Sequence, residues 1–347
     1  MPAPKNLDYT IDITKPKCVG DIQYGAMTFL RNNNPNGLSP QLKRDKGGAY
    51  LRLAVEKDAY TKATDGEPDM RDRCELRDSK VKLGTAVWYS FEMRVERGFP
   101  EVDARFVCAQ MKAPYYDANG GSPLFALRLD HGRYFATIEH LYETKDVRFV
   151  HGTERSRYLT PYDGSGSCPS ASVRALDHHV FPNGPSDFKE LQVRAVFATD
   201  SRGLPGYLKR QFLSCTSGVQ VRTSGVLPDD IHRWWRFKVA LAPTNVKDSD
   251  GIVQLFASDP ADPAERLVAT ATGEFGHVGY ADPATNTGPI PGEAQQYFKV
   301  GPYRDKLHIW GKKAAAIHVR NIRRGAWAYG RGYQRQALAK MQEAARS

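Results

Sequence analysis

Three short stretches carry side chains suited to handling an acidic group. The first is YFKVGPYRD, residues 297–305. Strand side chains alternate between two faces, so Phe298 and Val300 share one face. Tyr297, Lys299, Gly301 and Tyr303 share the other, which offers two phenols, an ammonium and a gap. The second stretch is RDRCELRD, residues 71–78. Alternation puts Arg71, Arg73, Glu75 and Arg77 on one face and Asp72, Cys74, Leu76 and Asp78 on the other. Planar guanidiniums bind carboxylates and sulfates bidentately, and Glu75 is expected to orient its neighbours. Without a ligand, the same pattern describes a solvated face with an incidental ion pair. The third is ARFVCAQMKAP, residues 104–114. Gln110 and Lys112 share a face there, opposite Val107, Ala109 and Met111. Strict alternation leaves Phe106 and Cys108 on the Gln110 side, giving a partly buried strand with one polar end.

Strands must position these groups, and the chain is rich in them. Short β-type runs lie between Gly, Pro, Asn and Asp clusters. They include Ala49 to Val55, Ala86 to Val95, Ala104 to Lys112, Leu124 to Leu129, Tyr134 to His140 and Leu191 to Thr199. Trp234 to Ala242, Gly251 to Ala257, Tyr297 to Tyr303 and Ala315 to Ile322 follow. Such spacing reads as an all-β sandwich or barrel. Three strands with a polar, cationic face and an apolar back would meet on one concave face of a sandwich. The region from about 141 to 230 is turn-rich and reads as an insertion over one face of a single domain spanning 1–347. Residues 333–346, YQRQALAKMQEAAR, read as a short C-terminal helix.

The bulk numbers fit this reading. The chain has 347 residues, 41% hydrophobic and 25% charged, which is ordinary for a soluble globular protein. Its formal net charge of +10 favours a polyanionic partner: nucleic acid, an anionic membrane or an acidic polysaccharide. No phosphate-binding loop, zinc finger or helix-turn-helix pattern argues for nucleic acid. No run of ~18 apolar residues argues for a membrane span. The opening MPAPKNLDYT contains no apolar segment of signal-peptide type. Cys18, Cys74, Cys108, Cys168 and Cys215 show no paired zinc spacing. Cys168 and Cys215 are candidates for a disulfide, and an odd count leaves at least one thiol unpaired within the chain.

RCELR, AQMK followed by SPLFALRLDHGRY, WWRFKVALAPTNVKDSDGIVQLFASD and YFKVGPYRD occur in that order. Together they resemble the jelly-roll polysaccharide lyases: heparin lyase I and its relatives, glucuronan lyases, and the alginate lyases with R-x-E-L, Q-I-H and Y-F-K-x-G-x-Y motifs. The resemblance covers roughly residues 45–140 and 230–325. It implies a concanavalin-like β-jelly roll with a concave cleft, and cleavage of uronic-acid polymers by β-elimination. A base removes the C5 proton, donors stabilise the enolate-like carboxylate, and an acid protonates the leaving oxygen.

By motif position, the resemblance makes Tyr303 the catalytic acid and in some relatives also the base. It makes Gln110 and Arg73 carboxylate-neutralising groups and Lys299 a substrate contact, with Gly301 leaving room for the sugar ring. Arg77, Arg71 and Tyr297 are added as further binding residues from the shared faces. The family's catalytic His, two residues after the Gln, is Lys112 here. The base is therefore Lys112, Tyr303, or a histidine of the insertion such as His178 or His179. No redox cofactor is implied. Some relatives hold a structural calcium ion, and no carboxylate cluster in the sequence marks a site for one. The expected partner is an acidic polysaccharide, met as a monomer outside the cytoplasm or in the periplasm.

A glycoside hydrolase on the same sandwich needs an E-x-D-x-x-E-like carboxylate set, and EVDAR at 101–105 lacks the third member. A non-catalytic module binding acidic glycans is the alternative of another class. It would keep the arginines and aromatics without needing Tyr303 and Lys299 together.

Overall fold

The computed structural model describes residues 8–19, 21–30, 38–55, 71–100, 106–112, 123–142, 147–150, 153–156, 159–161, 173–182, 189–203, 214–216, 219–243, 251–262, 264–273, 295–305 and 314–327. Among them there is no helix, and the strands other than the Val147–Val150/Thr153–Ser156 pair form two large antiparallel sheets packed as a jelly-roll sandwich. The C-terminal helix expected at 333–346 lies outside the described residues. So does Cys168, with its expected disulfide.

One sheet has nine strands. Its order is Val219–Thr223, Leu267–Gly273, Gly251–Ser258, Trp235–Ala242, Val87–Val95, Ala315–Ala326, Gly48–Val55 and Gln41–Asp45, with Tyr9–Thr10 pairing against Ala315–Ala326. The other has fourteen strands. Its centre runs Lys189–Thr199, Arg133–Tyr142, Pro123–Asp130, Phe106–Lys112, Gln295–Asp305, Leu76–Arg77 and Met27–Phe29. Arg71–Arg73 and Val81–Lys82 also pair with Gln295–Asp305. The stretch 141–230 contributes strands as well as turns. Val173–Pro182, Ser214–Thr216 and Leu159–Pro161 extend the fourteen-stranded sheet beyond Lys189–Thr199.

The apolar backs of both sheets meet in one core. Phe298 stacks on Tyr89 with ring centroids 4.4 Å apart and lies 5.6 Å from Phe91, which sits 5.8 Å from Phe237. Full burial of each such ring is worth about 1.5–3 kcal/mol. This packing fixes which face of Gln295–Asp305 points inward. Phe298 and Val300 are buried, so Tyr297, Lys299 and Tyr303 face out.

A buried polar cluster ties the RCELRD segment to the opposite sheet. The Asp78 carboxylate accepts from the Tyr89 hydroxyl at 2.7 Å and from Arg324 Nη1 at 2.6 Å, while its backbone N–H donates to the Phe298 carbonyl. Asp78 and Arg324 are both buried. Removing either partner would strand a buried charge, at a cost of about 3–5 kcal/mol.

Candidate active site

Gln295–Asp305 is the axis of the site, with Phe106–Lys112 on one side and the RCELR segment on the other. The register pairs Gln110 with Lys299, Lys112 with Tyr297 and Val107 with Tyr303. Across the strand, Arg77 pairs with Lys299 and Arg73 with Tyr303. Paired residues in an antiparallel sheet share a face. Tyr297, Lys299, Tyr303, Gln110, Lys112, Arg73 and Arg77 therefore stand together on the outer face of the fourteen-stranded sheet.

Strict alternation misplaced part of the Phe106–Lys112 strand. Phe106, Cys108, Ala109 and Met111 all belong to the core. A bulge between Val107 and Ala109 turns both Cys108 and Ala109 inward, so the alternation restarts one residue out of step. Phe106 and Cys108 are thus removed from the Gln110 face, and Val107 joins it. The bulge is what lets an apolar run end in an outward Gln110 and Lys112. Burial pushes the Cys108 thiol up, and it pushes the Cys74 thiol up to about 12, so these two free cysteines are inert core residues.

Gly301 also has a different role from the one expected. Its φ is +141°, a conformation that glycine tolerates best. A Cβ there would collide with the Cys74 carbonyl oxygen and stand 2.7 Å from the Glu75 Cα. The space beside Gly301 is filled by the RCELR backbone and is not a slot for a sugar ring. The Cys74 N–H donates to the Pro302 carbonyl at 2.9 Å, just where the pairing of Arg71–Arg73 gives way to that of Leu76–Arg77.

That close approach delivers Glu75 to the centre of the face. Its carboxylate accepts from Gln110 Nε2 and, at 2.9 Å, from Lys299 Nζ. Glu75, Gln110 and Lys299 are all buried. On either side of this trio an arginine covers a phenol. Arg73 lies 5.1 Å from the centroid of the Tyr303 ring, and Arg77 lies 5.7 Å from that of Tyr297. Burial raises the Tyr297 phenol above its usual range, although the Arg77 and Arg73 guanidiniums oppose the shift. Tyr297 is held neutral at physiological pH.

Arg71 pairs through its backbone with Asp305 at the Tyr303 end of the site, and its side chain lies outside the described residues. His178 and His179 lie on Val173–Pro182, paired with Val193 and Gln192. Along the sheet that strand is five spacings from Gln295–Asp305, or about 24 Å at ~4.8 Å per spacing. Their side chains also lie outside the described residues. The sequence reading did not single out Arg128. The register pairs it with Val107, on the Tyr303 row of the same face, and its Nε donates to Thr137 Oγ1 at 2.8 Å. Its only sequence signal was a charge at every-other spacing within an apolar run. Among the described residues, no group of three or more His, Cys, Asp or Glu side chains is placed to hold a metal ion. No described helix is long and apolar enough to cross a membrane.

Comparisons with known proteins bear on this arrangement. No curated protein sequence matches the chain. Among solved structures, it is similar to an endo-β-1,4-glucuronan lyase from the fungus Trichoderma reesei. The identity is 12%, the TM-score 0.41, and the match covers 84% of this chain and 88% of that one. It is also similar to the alginate lyase from Klebsiella pneumoniae, at 11% identity and a TM-score of 0.38, covering 92% and 94%. The family model described as polysaccharide lyase matches residues 43–323, a span that contains both sheets' central strands and every strand of the site. The chain belongs to the polysaccharide lyase family and is an enzyme of that class.

Proposed function

We propose that the enzyme cleaves a uronic-acid-containing polysaccharide by β-elimination, leaving 4,5-unsaturated uronate ends. The observation that carries this reading is the convergence of Tyr303, Lys299, Gln110 and Arg73 on one face of one sheet. An acidic polymer needs positive charge and donors at its carboxylate, and elimination needs a proton donor at the bridging oxygen.

In this reading Gln110, Arg73 and Lys299 take the uronate carboxylate and stabilise the charge that develops when C5–H breaks. Tyr303 returns a proton to the O4 oxygen as the C4–O bond breaks. In this reading Tyr303 makes the first transfer as well. Lys112 stands opposite Tyr297, one row beyond the Gln110–Lys299 pair. Arg73 over the Tyr303 ring is an electrostatic partner for a phenol oxygen that gives up and regains a proton. Lys112 then serves, with Arg77 and Tyr297, to bind a neighbouring acidic sugar. The enzyme would meet such a polymer outside the cytoplasm.

The test is incubation with alginate, glucuronan, heparin-like chains and other polyuronates while following ultraviolet absorbance of the unsaturated uronate. The reading predicts a rising signal with at least one polymer. Tight binding to a polymer without any absorbance change would instead favour a non-catalytic glycan-binding module.

A further inference from the structure

We propose that Glu75 is the positioning residue of this site: it sets which end of the Gln110 amide meets the polymer and fixes where the Lys299 ammonium stands. The proposal rests on the lyase reading above and adds to it a residue that does not itself touch the sugar.

The geometry is specific. Glu75 is 2% exposed, Gln110 4% and Lys299 6%, and one carboxylate oxygen serves each partner. An ionised carboxylate only accepts hydrogen bonds, so the amide must turn its Nε2 towards Glu75. One amide hydrogen is spent there. The second N–H of Nε2 remains on the same group as a donor for a substrate carboxylate. Lys299 has three N–H donors and spends one on Glu75, so others are left for the polymer.

Charge makes the arrangement necessary. Lys299 pairs with Arg77 on one side and Gln110 on the other, and Arg73, Lys112, Tyr297 and Tyr303 stand on the same face in the rows beside it. Glu75 is the carboxylate set directly against it. Taking an ammonium out of water is costly unless a carboxylate is set against it, so the ion pair fixes the place of Lys299 Nζ. Glu75 reaches this point because it sits at the break between Arg71–Arg73 and Leu76–Arg77, where glycine at 301 lets the Cys74–Glu75 backbone come close.

Glu75→Gln keeps the shape and an acceptor oxygen but removes the charge. Its kcat is expected to fall about 10–100-fold, the loss typical of slightly misplaced groups, with the polymer KM changing less than about threefold. A residue with only a structural role would lower the melting temperature without separating kcat from KM. Glu75→Gln/Lys299→Met removes the stranded ammonium. It should regain thermal stability relative to Glu75→Gln without regaining activity. This double variant also serves if Glu75→Gln folds poorly.

A wild-type kcat in Glu75→Gln would overturn the proposal. So would complete inactivity restored by added formate, which would make Glu75 a reacting group. Strictly additive melting shifts in the cycle would overturn the Glu75–Lys299 coupling. If wild-type enzyme cleaves none of the polyuronates, the lyase reading fails. The melting cycle still reads the coupling in that case, so the two failures remain distinct.

Discussion

On the outer face of the nine-stranded sheet, Trp234 lies between two guanidiniums, Arg94 at 4.6 Å and Arg320 at 4.2 Å. Arg94 is bridged to Asp45, Arg320 and Arg236 to Glu92, Arg52 to Glu96 and Lys238 to Glu265. The outer face of the other sheet uses the same residue types, with Arg73 over Tyr303 and Arg77 over Tyr297. There a buried carboxylate, Glu75, is bound to Gln110 and Lys299. Arginine and aromatic content therefore does not mark a site. A layer whose central cations meet carboxylates has much of its electrostatics satisfied internally and offers less to an anionic polymer. A layer in which, among the described residues, phenols and Glu75 hold several cations in place keeps positive potential for a ligand.

The sharpest break between the two faces is expected at Tyr303. Tyr303→Phe deletes one hydroxyl and keeps the ring beneath Arg73, so the fold should survive while turnover drops ~10²–10⁴-fold. Trp234→Phe, on the other face, should leave turnover unchanged. Near-normal activity of Tyr303→Phe on the best substrate would remove Tyr303 from the chemistry.

The next effect concerns binding. Arg73→Ala should weaken polymer affinity about tenfold or more, the scale of a charge-assisted bond worth ~1.5–3 kcal/mol. Affinity of the wild type should fall as salt is added, since exposed charges are screened within ~10 Å at 0.1 M. Arg94→Ala should leave both affinity and its salt dependence alone. Equal losses in the two variants would erase the distinction between the faces.

A smaller effect is expected at Lys112. Lys112→Arg keeps the positive charge but cannot release a proton near neutral pH. If Lys112 only binds a neighbouring acidic group, the variant should stay within about tenfold of wild-type kcat. Loss approaching that of Tyr303→Phe would show that Lys112 is the base, because removing an acid–base group costs ~10²–10⁴-fold.

The smallest effect belongs to the opposite face and should appear in stability alone. Arg94 Nε donates to His318 Nδ1 at 3.0 Å, and His318 Nε2 donates to Glu96 at 2.9 Å, so the ring sits neutral between them. Burial lowers the His318 pKa below 6.5, with Arg94 adding to the shift and Glu96 opposing it. Arg52 and His318 hold Glu96 down to about 2 from 4.5. Both groups bind protons more weakly when folded, so both contribute stability that is lost on acidification. His318 contributes as pH falls below about 6.5 and Glu96 as it falls from about 4.5 towards 2. His318→Gln can keep both hydrogen bonds without titrating. Melting temperatures measured against pH should lose their slope in the His318 window and keep it in the Glu96 window. An unchanged slope near pH 6 would show that His318 does not titrate with unfolding.

Much of this molecule was legible in the sequence. The alternation of YFKVGPY alone placed Phe298 and Val300 inward and Tyr297, Lys299 and Tyr303 outward, because a regular strand flanked by two others cannot do otherwise. The same held for RCELR, where Cys74 and Leu76 went to the core. The expected β-runs all became strands, since β-branched and aromatic residues with turn residues between them have few other ways to bury themselves. Alternation failed at Cys108–Ala109, where a bulge shifted the phase. Nothing in the local sequence distinguishes a bulged FVCAQMK from a regular one, because the extra residue is defined by the partner strands. The gap at Gly301 was readable as missing volume, but its occupant, the Cys74–Glu75 backbone, comes from more than two hundred residues earlier in the chain. Nor could the sequence pair charges. Arg73 with Tyr303, Glu75 with Gln110 and Lys299, and Asp78 with Arg324 are all long-range contacts. Residue types and face were set locally, by the two-residue period of a strand. Which charge met which carboxylate was decided by register between distant strands, and that decided which of two arginine-rich faces could serve as the site.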